Sequence, residues 1–259
     1  MFQLSKWYLD LVDPDGVAVI CYVARLRWGP VRIRYASILL DVPGAPPEEA
    51  VTLRRVERPA IRDGILDWRS EALDLEGVWH RRQPAIRETL LRGPGGAIRW
   101  SCRMPLAAGA VRWGPRRFAG PGYVESLTMT IPPSRLPFRS LRWGRHLSQA
   151  HSLIWIDWAG DAPARWVWLD GVRQPGALFC IDGVTGLDGG ARLETCASRD
   201  IRNRLVLPSI ARLIPGIGAR GADSLARMHE HKVVSRSRLY DGETLLDDGG
   251  WTVHEVVTL

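Results

Sequence analysis

The chain lacks the marks of a scaffold held by disulfides or structural metal. Its four cysteines, Cys21, Cys102, Cys180 and Cys196, lie far apart and form no Cys-x-x-Cys pair. That excludes a disulfide framework and a zinc module, and it leaves four reduced thiols. Long apolar runs are missing too. The longest charge-free one, residues 17–24, is far short of a membrane-spanning helix. The first residues show no basic stretch followed by an apolar one, so no secretory signal is read and the expected location is cytoplasmic. Lysine is scarce, with Lys6 and Lys232 alone, so the formal charge of +7 rests on arginine. These arginines alternate with apolar residues, as in Arg25-Leu26-Arg27 and Arg32-Ile33-Arg34, which is how the wet face of a sheet reads. Without a Lys/Arg block, zinc finger or RNA-binding aromatic signature, nucleic acid is not an expected partner. Peripheral contact with an anionic membrane surface stays open. Gly-x-Ser-x-Gly elbows, phosphate-binding loops and dinucleotide fingerprints are absent, which removes most serine hydrolases, nucleotide-driven enzymes and Rossmann oxidoreductases.

What the chain does have is period-two alternation. Val31, Ile33 and Tyr35 share one face against Arg32 and Arg34, and Leu127, Met129 and Ile131 oppose Ser126, Thr128 and Thr130. Similar strands fit residues 18–26, 97–104, 153–158, 165–169, 178–181, 192–197, 232–240 and 251–258. Turns fit Asp13-Pro14-Asp15-Gly16, Asp170-Gly171, Asp241-Gly242 and Asp248-Gly249-Gly250. The expected fold is all-β: two lipocalin-like antiparallel barrels or sandwiches, residues 1–118 and 119–259, with one or two short helices within residues 203–230. Arg-Trp-Gly recurs at Arg27-Trp28-Gly29, Arg112-Trp113-Gly114 and Arg142-Trp143-Gly144. Either it marks two related halves, or Trp-Gly simply ends strands in a tryptophan-rich chain.

Two acids are candidates for chemistry. On a strand, Trp155 and Asp157 point one way, and Ile154, Ile156 and Trp158 the other. If the Trp155 face is interior, Asp157 is a carboxyl in an apolar barrel, where desolvation favours the protonated form and tryptophan faces can stabilise a carbocation. The alternative is a structural partner of Arg142 or another arginine of the Arg-Trp-Gly segments. Glu125 follows Tyr123 and shares its face with Leu127 and Met129, so it is expected to point inward; a partnered structural glutamate is its alternative. His229, His231 and His254 show no third-ligand spacing, so no metal is expected.

Residues Ile98-Arg99-Trp100-Ser101-Cys102, Gly120-Pro121-Gly122-Tyr123-Val124-Glu125, Pro133 through Arg145 and Leu153 through Trp158 resemble the carotenoid 1,2-hydratase (hydroxyneurosporene synthase) group. That group stands with tocopherol cyclase-like and AttH-like proteins in a lipocalin-like superfamily. The resemblance implies a hydrophobic small-molecule ligand and no cofactor. It also implies hydration, cyclisation or isomerisation of an isoprenoid or polyene, begun by Asp157 or Glu125 in a pocket with Tyr123, Trp155, Trp143 and Arg142. The chain is short for a full carotenoid hydratase. A non-catalytic lipid- or pigment-binding lipocalin is the second reading, and a nucleic-acid or protein-interaction module the third.

Overall fold

The structure is a computed structural model that describes residues 1–54, 56–180, 183–205 and 228–258. Alternation wins along almost the whole chain. The first sheet contains β1 (Phe2–Val12), β2 (Ala18–Trp28), β3 (Val31–Asp41), β4 (Glu48–Thr52), β5 (Ala60–Arg62), β6 (Ile65–Ser70), β7 (Leu75–Arg81), β8 (Ile86–Gly93), β9 (Gly96–Trp113) and β10 (Arg116–Met129). Its order is β4-β3-β2-β1-β10-β9-β7-β6-β5, with β8 paired to β9. The second contains β11 (Phe138–Leu147), β12 (Ser152–Gly160), β13 (Ala164–Leu169), β14 (Val172–Arg173), β15 (Leu178–Cys180), β16 (Gly183–Thr185), β17 (Arg192–Leu205), β18 (His229–Asp241) and β19 (Thr244–Thr258). Its order is β14-β13-β12-β11-β19-β18-β17-β16-β15. In both sheets a four-stranded meander leads out from the first strand, and the last strand returns to pair with that first strand.

The chain divides into two compact units, Met1–Pro132 and Pro133–Leu259. The join expected at residues 118–119 therefore falls inside β10, which pairs with β9 along its length and with β1 from Gly122 onward. The shared topology does not come from the Arg-Trp-Gly repeat. Gly29 and Gly114 sit in hairpin turns at φ +57°, whereas Gly144 lies within β11. The helices expected within residues 203–230 fall largely on residues 206–227, outside the described residues; Asn203 belongs to β17 and His229 to β18. Asp248-Gly249-Gly250 is not a turn but part of β19. Gly250 is needed there because a Cβ would collide with the His146 ring.

Each sheet curls around its own core, in the lipocalin-like manner. In the first unit, Ile38 of β3 and Leu66 and Trp68 of β6, from opposite ends of the strand order, join one cluster with Leu9, Val23, Trp79 and Val124. In the second, Val167 of β13 meets Val184 and Leu193 of β16 and β17 around Trp155. Large rings cross these sheets where strand glycines leave room. A Cβ on Gly77 would lie 2.5 Å from the Trp79 ring and one on Gly122 2.8 Å from it, and one on Gly144 would collide with Trp155. Replacing Gly144 with alanine should therefore cost about 1–3 kcal/mol by overpacking. Gly29→Asn keeps a residue that tolerates positive φ, in open space, and should cost far less. Urea midpoints of the two variants check the contrast.

Candidate functional site

A cavity of about 300 Å³ opens within the second unit, on the face that carries its core. Register explains who lines it. Gly144 pairs with Trp155 and with His254, and Arg142 pairs with Asp157 and with Val256, so these side chains share the inward face of β11, β12 and β19. Trp155, Phe179, Val184 and Leu193 form apolar wall, and Arg142, Thr195, Thr252, His254 and Glu255, the last in contact with Lys232, form polar wall. The Trp155 and Phe179 rings are 6.2 Å apart. Lost hydration, reinforced by His231 and Lys232 nearby, lowers the His254 pKa to about 4, so its imidazole is neutral at pH 7. Of the residues expected to touch a ligand, Arg142, Trp143 and Trp155 do line this cavity; Phe179, Thr252 and His254 were not singled out for it. His254 was legible only as the inward partner of Gly144, which needs the β11–β19 register.

Asp157 shares this face but does not line the cavity. Its row runs Arg142–Asp157–Arg165 across β11, β12 and β13, and its Oδ1 accepts the Arg165 Nε–H at 2.9 Å. Arg165 also donates to the Ala177 carbonyl at 2.8 Å and stacks 4.9 Å over Phe179. The partner is thus Arg165 rather than Arg142 or another Arg-Trp-Gly arginine, and Asp157 is not among the cavity-lining residues. The pair braces the wall that holds Phe179.

Glu125 and Tyr123 belong to the first unit. Val124 faces the core with Leu9, so Glu125, paired with Tyr8, lies on the opposite face rather than inward. It is buried all the same. Its Oε2 accepts the Trp100 indole N–H at 2.5 Å and the Tyr123 hydroxyl at 2.8 Å. Burial, then Cys102 and Glu125 beside it, holds the Tyr123 phenol well above its usual range. Tyr8 packs 6.0 Å from the Tyr123 ring and donates to Asp10 at 2.7 Å.

One polar chain leads away from the cavity. Thr252 donates to Ser237 at 2.8 Å, and Ser237 lies 2.8 Å from His146 Nδ1. His146 is fully buried, its Nε2 has no hydrogen-bond partner, and desolvation lowers its pKa to about 4. A histidine with a folded pKa below its unfolded one binds fewer protons folded than unfolded between those values. Stability is then lost as pH falls from about 6.5 toward 4, by about 3 kcal/mol at most for this group. Urea midpoints at pH 7 and pH 5 should show that loss in the native chain and a smaller one in His146→Asn. Asp157→Asn should lower the melting temperature through the lost Arg165 pair while the cavity still binds ligand; a loss of binding with an unchanged melting temperature would contradict the bracing role.

No family model matches the chain, and no curated protein matches it in sequence. Among solved structures its fold is similar to that of the AttH-designated protein of Nitrosomonas europaea, at a TM-score of 0.59 and 13% identity over 98% of this chain and 92% of that one. It is also similar to CghA, at 0.57 and 11% over 100% and 88%. A second structure, CghA with Sch210972, aligns at 0.54 and 11% over 100% and 89%. At these identities the likeness is one of fold: two lipocalin-like antiparallel β units in one chain.

Proposed function

We propose that the chain holds an apolar isoprenoid- or polyene-type molecule in the cavity of its second unit and hydrates, cyclises or isomerises it without a cofactor. The observation that carries this reading is the composition of the cavity: Trp143, Trp155, Phe179, Val184, Leu193 and Val256 against Arg142, two threonines, Glu255 and a neutral His254. Apolar walls with a few placed polar groups are the usual make-up of a small-molecule site, and 300 Å³ is at the small end of the range. It suits one end of an extended molecule. CghA, of similar fold, has been solved with Sch210972, which adds support for ligand binding.

In this reading the neutral His254 imidazole accepts or returns a proton, and the Arg142 guanidinium holds an oxygen on which negative charge develops. Asp157, engaged by Arg165, is a positioning residue. Glu125, with Tyr123 and Trp100, is the first unit's candidate acid–base group. The second reading is non-catalytic carriage of the same class of ligand, favoured by the engagement of Asp157 with Arg165 rather than with the cavity.

Native mass spectrometry of protein from its own host should show a retained apolar molecule. In titrations that follow tryptophan quenching, retinoic acid, a polyene with a carboxylate, should bind the native chain and bind Arg142→Gln about tenfold more weakly, while retinol should bind both alike. If neither probe binds and nothing is retained, the ligand reading fails. Once the substrate is in hand, His254→Gln should keep affinity and lose turnover by roughly 10²-fold; a native chain that binds the ligand but forms no product is a carrier.

A further inference from the structure

The first unit has an arginine pattern that the cavity does not use. Two cross-strand pairs set like charges directly opposite each other, Arg25 with Arg34 and Arg27 with Arg32, on β2 and β3. The row through Arg25 continues Arg34–Arg25–Ser5–Thr128–Arg99–Thr89 across β3, β2, β1, β10, β9 and β8. The next row runs Ala36–Val23–Trp7–Ser126–Ser101–Arg87. Val23 and Ala36 belong to the core cluster, so both rows lie on the sheet's inner face. Arg103 joins them at a bulge: its Nε donates to Ser126 at 3.0 Å and its guanidinium sits 5.6 Å over Trp7.

Seven arginines therefore share one face, and no carboxylate occupies these rows. Arg27, Arg32, Arg34, Arg87 and Arg99 form no ion pair with a described carboxylate. Partial burial, with Arg87 beside it, holds Arg103 below the usual arginine range. Like charges directly opposite on neighbouring strands destabilise a sheet. A fold that keeps two such pairs has charge to spare for an anion. Their spacing is short, about 5 Å across strands and about 7 Å along them. Hydroxyls stand between them: Ser5, Thr128 and Ser126, and the buried Ser101, whose Oγ has no hydrogen-bond partner.

We propose that this face of the first unit binds a phosphorylated small molecule carrying two or more phosphate groups. Guanidinium forks match phosphate oxygens two at a time, which lysine cannot do, and arginine is what the face offers. Adjacent guanidiniums let neighbouring phosphates each take a fork, while the hydroxyls accept or donate between them. Trp7 and the core behind it give the rest of the molecule an apolar surface. A single-stranded nucleic acid would instead be expected to find a row of aromatic rings to stack on; in these two rows there is one, Trp7.

The test uses inorganic diphosphate and inorganic phosphate as probes in calorimetric titrations of the full chain at low salt. Diphosphate should bind at least tenfold more tightly than phosphate and raise the melting temperature. The double variant R27Q/R32Q, at two exposed positions far from the second unit's cavity in sequence, should bind diphosphate at least tenfold more weakly. It should bind retinoic acid unchanged, which separates this site from the cavity. With no ligand present it should melt at the same temperature or higher, because a like-charge pair has been removed. Vesicles of phosphatidylglycerol address the source of the phosphate: binding that diphosphate displaces and R27Q/R32Q abolishes assigns the same chemistry to a lipid headgroup. The proposal is overturned if diphosphate does not bind, if the variant binds it as well as the native chain does, or if a single-stranded oligonucleotide binds through these arginines where diphosphate does not.

Discussion

Tryptophan laid across glycine is the contact on which both sheets depend. A β-sheet that curls on itself must fill its inner face, and a flat indole does so only where the strands beneath carry no side chain. Trp79 takes that place over Gly77, Gly109 and Gly122, and its N–H reaches the Asp10 carbonyl at 2.9 Å. Trp155 takes it over Gly144. The first ring is wholly buried and closes its core. The second, at the lip of a cavity, leaves room between itself and Phe179. The same device therefore fills the core of one unit and borders a cavity in the other.

Charge is handled differently in the two units. In the second, two buried cations have carboxylate partners: Lys232 contacts Glu255 and lies 3.4 Å from Glu230, and Arg202 lies 3.4 Å from Glu230; the buried Arg145 donates to the Trp251 carbonyl at 2.9 Å. A buried charge needs a partner of opposite sign or a hydrogen-bonding group to offset its lost hydration. Asp157 and Arg165 extend the arrangement to the cavity wall. On the inner face of the first unit, arginines stand opposite arginines. The positive charge is thus not spread evenly: seven arginines share one face of the first sheet.

Much of the architecture could be read from alternation. β3 shows the two-residue period where Arg32 and Arg34 stand exposed between half-buried neighbours, although β2, β3 and β12 each also hold a run of five or six buried residues. The turn residues Asp170-Gly171 and Asp241-Gly242 also mark real hairpins, with positive φ at Asp170, Gly171 and Gly242. β1 and β11 were harder to see: β1 is buried on both faces through its second half, and β11 ends in a run of five buried residues, so neither alternates cleanly. Gly249-Gly250 misled in the other direction, since its glycines serve the His146 ring rather than a turn.

The sequence by itself determined which side of each strand a residue takes, and therefore that Trp155 and Asp157 point together and that Glu125 opposes Val124. It also determined that Arg25 and Arg27 share a face of β2, and Arg32 and Arg34 a face of β3. Only the tertiary structure decided which face became interior, which strand lay next to which, and hence who met whom. Alternation is a local property of one strand, with period two, whereas pairing joins residues a hundred positions apart. Arg142 and His254 share a cavity because β19 returns to β11. Asp157 found Arg165 because β13 set that arginine beside it in register. Glu125, expected inside, ended on the other face because Val124, its neighbour, filled the place among Leu9 and Met104.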